Sequence, residues 1–263
     1  MTNNSLPTVY PTRYVLYLDI LGFREIVNTV ETDDVNGNEL LRTVKKIIDD
    51  FISEKETAND TSQMQSAHPM YTLFSDCLVI STADHVGGLK SILTRVMDLP
   101  MRLMQKGIFV RGAVVKGLLL HDQDHLLGSG LIKAYEMESQ LAKYPRILIH
   151  KDVYDAAVGL IEKSMQQWVT DICRRDADGL YYVAPFYADS APDPDPDKSA
   201  CGQPFAEKHL QCVRHQIENA VKKHADNDKI CTKYYWLARQ LNEIQVMWHD
   251  RGDIKKTYMI SLP

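Results

Sequence analysis

The sequence predicts an α+β fold in which helices pack on one face of an antiparallel sheet. Two apolar runs of strand-forming residues, Tyr14–Leu18 and Leu78–Ser81, are each joined to a single aspartate and a tight turn. Between such runs lie longer segments with apolar residues at three- and four-residue spacing, the pattern of amphipathic helices. Strands that alternate with helices and hairpins in this way favour helices layered on an antiparallel sheet.

The elements of the first half follow from these patterns in order. A strand that ends at Asp19 is followed by a short helix, a polar break, an amphipathic helix and a polar loop, and a hairpin then forms around Asp76. Asp84 is predicted to cap the next helix, and Pro100 is predicted to kink or break it. The predicted bounds are Phe23–Val30 for the first helix, Thr32–Asn38 for the break, Leu40–Ile52 for the second helix, Ser53–His68 for the loop and Tyr71–Ser81 for the hairpin.

The elements of the second half begin with a long strand that contains two glycines. A turn, a helix, a short strand, the start of another helix and a last strand follow. Their predicted bounds are Ile108–Leu120, His121–His125, Leu131–Leu141, Arg146–Ile149, His150–Tyr154 and Gly179–Val183. The whole order of elements is akin to a ferredoxin-like palm.

Composition divides the chain into three parts. Residues 1–187 form the predicted main domain, and residues 188–202 are rich in proline and aspartate with no core-forming residues, which predicts a solvated linker. Residues 203–263 carry two predicted helices, about Phe205–His224 and Asp228–His249. We expect this helical extension to pack on the core or on a second subunit.

Charge and composition exclude several classes of protein. The net charge of −5 lacks the basic surplus of a general nucleic-acid binder. No apolar run approaches the roughly 20 residues that cross a bilayer, and Met1–Pro7 lacks the features of a signal peptide. The five cysteines are scattered, which fits reduced thiols in the cytoplasm and not a disulfide framework or a zinc site. We therefore expect a cytoplasmic protein.

Asp19 and Asp76 are the candidate metal ligands. Two strands that each bring one carboxylate to a common edge can hold two divalent ions about 3.5–4 Å apart, which assist displacement at phosphorus. Taken singly, Asp19 is explained as a helix cap and Asp76 as a turn residue, but the pair favours a metal site. Arg111 is a charge within an apolar strand, and two explanations stay open: an edge position facing water, or a guanidinium aimed at phosphate oxygens.

Three stretches resemble the catalytic domain of class III nucleotide cyclases. Leu18–Phe23 resembles the first metal-binding motif of that family, and Phe74–Cys77 resembles the second. Gly128–Tyr154 resembles the dimerisation arm, the catalytic helix and the segment after it. The helical extension lies outside the resemblance.

The resemblance implies a reaction. Asp19 and Asp76, with the backbone carbonyl of Ile20, would hold two Mg²⁺ or Mn²⁺ ions on a nucleoside triphosphate. The ribose 3′-hydroxyl would attack the α-phosphorus in line, and pyrophosphate would leave. The family builds its sites between subunits, which implies a homodimer. The phosphate oxygens would be bound by the amides of Leu21, Gly22 and Phe23.

Three departures from the family pattern indicate which branch of the family the chain resembles. Ile132 and Glu136 stand where purine cyclases have an Asn and an Arg on the catalytic helix, and Thr72 stands where they have an adenine-reading Lys. The chain is therefore not expected to be an ordinary adenylate cyclase. It looks like the bacterial pyrimidine cyclases of anti-phage defence, the Pycsar type, which make cyclic UMP or cyclic CMP to activate a separate effector.

This branch assigns further candidate residues. Tyr71 or Thr72 would contact the pyrimidine, Arg111 would stabilise charge or read the base, and Lys133 or Lys116 would contact phosphate. We favour UTP over CTP. The alternatives are a catalytically silent module that binds a nucleotide or a partner protein, and a diguanylate cyclase, whose Gly-Gly-Asp/Glu hairpin is missing.

Overall fold

Nine strands and eight helices are seen in the part of the chain that the structure, a computed structural model, describes: residues 10–32, 34–58, 68–160, 163–184, 186, 202–252, 254 and 256–262. The strands are β1 (Thr12–Ile20), β2 (Met70–Phe74), β3 (Cys77–Ala83), β4 (Val110–Leu118), β5 (Leu120–His121), β6 (Leu126–Leu127), β7 (Ile147–Ile149), β8 (Cys173–Arg175) and β9 (Tyr181–Val183). The helices are α1 (Phe23–Thr32), α2 (Asp34–Ala58), α3 (Val86–Met104), α4 (Ser129–Leu141), α5 (Lys151–Val158), α6 (Lys163–Ile172), α7 (Gly202–Lys223) and α8 (Asp228–Arg251).

The main sheet has seven strands in the order β2-β3-β1-β4-β7-β9-β8. Every neighbouring pair is antiparallel except β4 and β7, which run parallel. β5 and β6 form a separate two-stranded hairpin beyond the end of β4. The predicted α+β class with a mainly antiparallel sheet is therefore confirmed.

Helices cover both faces of the sheet, whereas the sequence predicted one. The Thr82 hydroxyl donates to the Gly88 carbonyl of α3, and Thr82 pairs with Tyr14, so α3 lies on the Tyr14 face. A Cβ built on Gly130 of α4 would lie 3.1 Å from Cγ2 of Val15, so α4 lies on the opposite face. The difference arises because both faces of β1 are apolar, and each therefore needs a covering layer.

A close approach of two backbones fixes α4 on the sheet. A Cβ added to Gly117 in β4 would lie 2.7 Å from the Cα of Gly130, so only glycine fits at this crossing. The contact determines where the rest of α4 projects its side chains over the sheet.

Several local predictions were wrong. His85, and not Asp84, caps α3, since its Nδ1 accepts from the Gly88 amide. Asp84 instead pairs with Lys116 at 2.7 Å. Of the kink or break predicted at Pro100, the break does not occur, since the helix continues through the buried Pro100 to Met104 and the following turn keeps its own hydrogen bonds.

The helical content was also underestimated. α2 runs from Asp34 through most of the predicted break and reaches Ala58 in the predicted loop, whereas residues 59–67 lie outside the described part. α6 and β8 were not predicted. The predicted linker also lies outside the described residues, apart from Gly202, which begins α7.

The C-terminal helices pack on the core of the same chain. The Tyr182 hydroxyl donates to Gln240 Oε1 at 2.6 Å, and Trp236 Nε1 donates to Asp176 Oδ2 at 3.0 Å. The ring of Tyr234 meets Phe109 edge-on at a centroid distance of 5.1 Å. Within the described ranges, no helix combines the length and the apolar character needed to cross a membrane.

Candidate active site

Three neighbouring strands bring Asp19, Cys77 and Arg111 side by side. In the register of the sheet, Asp19 of β1 pairs with Cys77 of β3 on one side and with Arg111 of β4 on the other. Directly paired residues of antiparallel strands project to the same face. Because Asp19 shares the parity of Val15, all three side chains project to the face that α4 covers.

Asp76 joins this group through the turn between β2 and β3. Ser75 adopts a left-handed conformation (φ 54°), which closes the hairpin, and the Ile20 amide donates to the Asp76 carbonyl at 3.0 Å. The turn is thereby tied to the end of β1. One ligand atom each from Asp19, Asp76 and Cys77 lie within 4.8 Å of one another. The structure therefore brings the two predicted metal ligands together.

Arg111 lies between two carboxylates. Its Nε donates to Asp19 Oδ2 at 2.9 Å and also lies 2.6 Å from Glu138 Oε1. The N–H bond points at Asp19, so Glu138 Oε1 is close to the guanidinium without accepting a hydrogen bond from it. Arg111 is partly buried among the charged groups of the α4 face. This position does not fit the first explanation, an edge residue that faces water, and is compatible with the second, a guanidinium aimed at phosphate.

Glu138 is the most deeply buried carboxylate of the group, with 2% of its surface exposed. Burial raises its pKa to about 7, with Asp19 and Asp76 adding to the rise and Arg111 opposing it. Burial also raises the pKa of Asp19, against the hydrogen bond and charge of Arg111. Three carboxylates in one place are tolerated because Arg111 offsets part of their charge.

Cys77 is a protonated thiol in this setting. Its Sγ is hydrogen-bonded to the Tyr17 hydroxyl at 2.8 Å. Burial raises its pKa to about 11, and the neighbouring Asp76 and Asp19 contribute while the Tyr17 hydrogen bond opposes. A thiol of this kind is a poor metal ligand, since the thiolate is the binding form.

The donor set therefore fits a hard divalent cation. Asp19 and Asp76 offer carboxylate oxygens. Ile20, the residue after Asp19 and the last residue of β1, offers its backbone carbonyl. Oxygen ligands of this kind suit Mg²⁺ and Mn²⁺, whereas soft metals require thiolate. Asp19, Asp76 and Ile20 are the residues that would hold the ions.

The turn that follows Asp19 exposes the start of a helix. Gly22 has φ 77°, a conformation that side chains rarely adopt, and the Leu21 amide donates to the Phe109 carbonyl at 2.8 Å. The Leu21 amide, one of the three predicted phosphate donors, is therefore already engaged. α1 begins at Phe23, and because the Glu25 and Ile26 amides donate to the Gly22 carbonyl, the Gly22 and Phe23 amides remain the candidate phosphate donors. Leu21 and Gly22 also line a cavity of about 240 Å³ whose far wall comes from α7 and α8.

The two predicted base contacts lie on opposite faces of the sheet. Thr72 pairs with Val79 and projects to the Asp19 face, whereas Tyr71 pairs with Ile80 and projects to the α3 face. The Tyr71 hydroxyl accepts a hydrogen bond from Arg95 Nε at 2.7 Å in that layer. The structure therefore groups Thr72, and not Tyr71, with the candidate metal ligands.

A chain of hydrogen bonds ends at Thr72. Arg13 Nε donates to Ser81 Oγ at 2.8 Å, Ser81 is bonded to His121 Nδ1 at 2.8 Å, and His121 Nε2 is bonded to Thr72 Oγ1 at 2.9 Å. Burial, with the charge of Arg13, lowers the pKa of His121 to about 4, so the ring is neutral. The assignment that gives the buried Ser81 hydroxyl an acceptor makes Ser81 donate to Nδ1 and Nε2–H donate to Thr72. The Thr72 O–H is then left to donate outward.

The remaining predicted residues lie apart. Lys133 is 3.5 Å from Asp152 and lines a separate cavity of about 720 Å³ beside β9. Lys116 is paired with Asp84 and lies over the Tyr14 ring on the α3 face. Ile132 and Glu136 are exposed on α4, so neither approaches the buried carboxylates.

Two residues of the site were missed by sequence reasoning. Glu138 could have been found, because it is a carboxylate on the apolar stripe of a predicted helix, four residues after Ala134. Lys233, in α8, interacts electrostatically with Arg111 and with Asp19. Burial, Arg111 and Lys229 lower its pKa, and Asp19 opposes them. Nothing in the sequence around Lys233 signals this contact.

Comparisons with known proteins find similarity in structure. The chain is similar to the adenylyl cyclase CyaB from P. aeruginosa (15% identity, 65% of this chain and 93% of that one, TM-score 0.42). It is similar to the catalytic core of a rhodopsin-guanylyl cyclase with converted specificity, in complex with ATPαS (16% identity, 66% and 95%, TM-score 0.41). It is also similar to a class III adenylyl cyclase-like ATP-binding protein from Pseudomonas aeruginosa (15% identity, 61% and 40%, TM-score 0.37). No protein-family model and no curated protein sequence matches the chain.

Proposed function

We propose that this protein is a nucleotide cyclase that converts UTP to 3′,5′-cyclic UMP and pyrophosphate. One observation carries the proposal: Asp19 and Asp76, 57 positions apart in the sequence, offer oxygens within a 4.8 Å cluster where β1 ends and β3 begins. A helix start able to bind phosphate follows Asp19 directly, and Arg111 lies beside it. Carboxylates, a helix start and a guanidinium in one place suit a metal-bound triphosphate.

The chemistry requires an in-line displacement at the α-phosphorus. A bond forms between the ribose O3′ and the α-phosphorus, the bond to the β-phosphate oxygen breaks, and the hydroxyl proton ends on pyrophosphate. Two divalent ions, when bound, lower the pKa of the 3′-hydroxyl and offset the triphosphate charge. The amides that open α1 bind phosphate oxygens, and Arg111 stabilises the charge that develops on the phosphorus oxygens.

The preference for UTP is supported by the donor character of Thr72. Its O–H is free to donate once His121 Nε2–H donates to its oxygen. A donor fits the O4 acceptor of uracil and does not fit the amino group that cytosine has at the same position. A cytidylate cyclase remains the alternative, and the Thr72→Val substitution, which removes the donor, is expected to reduce the preference for UTP over CTP.

A homodimer is part of the proposal. Large apolar side chains are exposed along the face that bears the site, and Ile132 and Tyr135 are 59% and 52% exposed. The Tyr135 ring meets Tyr17, which shares a face with Asp19, at a centroid distance of 5.7 Å. Exposed apolar groups of this size favour a covering partner, and a second copy would complete the site. Phe74 of β2, which pairs with Cys77 and therefore projects to the same face as Asp19, is also exposed.

The proposed setting is a signalling role in bacterial anti-phage defence. The cyclic nucleotide would act in the cytoplasm on a separate effector that responds to it. This part rests on the sequence resemblance to the Pycsar branch. Infection of cells that carry this gene, with and without Asp19→Asn, followed by measurement of cyclic UMP, tests it.

A catalytically silent nucleotide-binding module is the second candidate. It is favoured by Ile132 and Glu136, which occupy the exposed positions of α4 where the resemblance would place the Asn and the Arg. Against it stand the clustered carboxylates of Asp19 and Asp76, whose repulsion Arg111 offsets only in part and which give a silent site no advantage.

The proposal is tested by incubating the purified protein with each of the four ribonucleoside triphosphates and Mn²⁺. Products are identified by mass spectrometry, which also detects linear products and dinucleotides. Asp19→Asn and Asp76→Asn are expected to lose the product while keeping side-chain shape, and the exposed Asp155→Asn serves as the matched control. Absence of any product from a folded dimer would favour the silent module, and cyclic AMP or cyclic GMP would overturn the pyrimidine assignment.

A further inference from the structure

The corner between the two C-terminal helices is anchored beside the turn that opens α1. Tyr234, in the second turn of α8, packs on Phe109, whose carbonyl accepts the hydrogen bond from the Leu21 amide. Lys223, at the end of α7, pairs with Glu25 in the first turn of α1 at 2.9 Å. α7, α8 and the turn at Gly22 together enclose the cavity of about 240 Å³. The extension is therefore held against the phosphate-binding part of the candidate active site.

This anchoring brings the part of α8 that carries Lys233 to the strand segment that leads to Arg111. Lys233 precedes Tyr234 in α8, and Arg111 lies two residues beyond Phe109 in an extended segment, so Arg111 and Phe109 project to the same side. Lys233 is partly buried there and interacts with both Arg111 and Asp19. Within the described part of the chain, no carboxylate oxygen lies within ion-pair distance of its ammonium group.

Arg111 also keeps unused donors. Among the described residues, it donates one side-chain hydrogen bond, from Nε to Asp19, so Nη1 and Nη2 donate none. Arg111 and Lys233 thus repel one another electrostatically, and Lys229, one turn before Lys233 in the same helix, adds to this repulsion. Like charges at close range repel, and the arrangement is favourable when an anion lies between them.

We propose that Lys233 binds the polyphosphate of the substrate together with Arg111, so that the C-terminal extension supplies part of the active site within the same chain. This inference rests on the proposed function for the identity of the anion. An ammonium on a flexible stem acts as a mobile point charge for phosphate oxygens, whereas the guanidinium fork of Arg111 binds them with fixed geometry. The extension is then required for binding the triphosphate as well as for covering the core.

Inorganic tripolyphosphate is the probe that isolates this contact, because it carries the charge of the substrate without base or ribose. Isothermal titration with Mg²⁺ present measures its affinity for the full chain and for variants. Lys233→Ala is expected to weaken binding by about tenfold or more, and Lys233→Arg is expected to retain most of it. Arg239→Ala is the matched control, since it removes an exposed cation from the same helix. Unchanged thermal unfolding of each variant establishes that the fold is intact.

The outcomes separate this inference from the cyclase proposal. Equal affinity of Lys233→Ala and the unmodified chain, or no binding by the unmodified chain, overturns the role of Lys233. If the unmodified chain forms a cyclic nucleotide while Lys233→Ala turns over equally well at low substrate, the cyclase proposal stands and this inference fails. If tripolyphosphate binding depends on Lys233 but no triphosphate is cyclised, the anion site stands and the cyclase proposal fails.

Discussion

Arg111 Nε donates a 2.9 Å hydrogen bond to Asp19 Oδ2 across the β1–β4 pair. The same nitrogen lies 2.6 Å from buried Glu138. Arg111 therefore offsets the negative charge of a candidate metal ligand and also lies against a second carboxyl group. A cation that binds Asp19 must compete with this guanidinium, so Arg111 is expected to influence metal binding and catalysis in opposite directions.

Arg111→Ala is expected to tighten Mn²⁺ binding while lowering turnover. Without the guanidinium, Asp19 and Asp76 attract a divalent ion more strongly, but charge on the phosphorus oxygens loses a donor, which typically costs about 10²–10³ in kcat. Mn²⁺ binding is measured by electron paramagnetic resonance, and turnover by product mass. Arg239→Ala provides the control for loss of a cation. Full turnover in Arg111→Ala would contradict its role.

His121→Gln is expected to flatten the pH dependence of stability between about pH 4 and 6.5. Burial lowers the pKa of His121 to about 4 in the folded protein, whereas the unfolded chain protonates near 6.5. The folded state thus loses stability as the pH falls through this window, on the order of 1–3 kcal/mol in the free energy of unfolding. Urea unfolding at pH 4.5 and 7 measures the difference.

The exposed His215→Gln variant is the control for this pH effect. It is expected to keep the pH dependence of the unmodified chain. An equal slope in His121→Gln would show that another group carries the pH dependence.

Arg146→Met is expected to lower the free energy of unfolding by about 3–5 kcal/mol, because it removes a buried cation and leaves the carboxylates that pair with it without a partner. Arg146 is 1% exposed, pairs with Asp176 and Asp178, and lies 5.8 Å from the ring of Trp236. Asp176 also accepts from Trp236 Nε1, so the cluster connects α8 to the sheet. Urea unfolding measures the loss. The exposed Lys151→Met variant should leave the free energy of unfolding nearly unchanged, and a similar loss in both would refute the assignment.

The sequence predicts the Asp19–Asp76 pair because each aspartate lies in a strand-and-turn pattern that can be recognised from its neighbouring residues alone. Strand register then brings the two together, since β1 and β3 are neighbours with apolar runs of similar length. The predicted break at Pro100 and the predicted cap at Asp84 failed for a different reason: tertiary packing keeps α3 continuous, and the neighbouring His85 has the geometry to cap it.

The positions of the Glu138 and Lys233 side chains depend on tertiary contacts that local sequence patterns do not predict. The rotation of α4 over the sheet is set by the approach of Gly117 to Gly130, and this decides that Glu138 projects inward. Lys233 lies in a helix of the extension, so its position relative to Arg111 depends on how Tyr234 fits against Phe109. Such fits are properties of packed surfaces and not of sequence spacing.

Ile132→Asp is expected to abolish dimer formation and with it turnover, while each chain stays folded. Ile132 is exposed near the start of α4, where an acidic residue is compatible with the helix, so the substitution has little effect within one chain. In a dimer it would bury an unpaired charge, which is unfavourable. Sedimentation velocity measures the oligomeric state, and Val246→Asp, on an exposed apolar position of α8, is the matched control. A dimer that survives Ile132→Asp with full turnover would exclude this face as the subunit interface, and a monomer with full turnover would show that one chain forms a complete site.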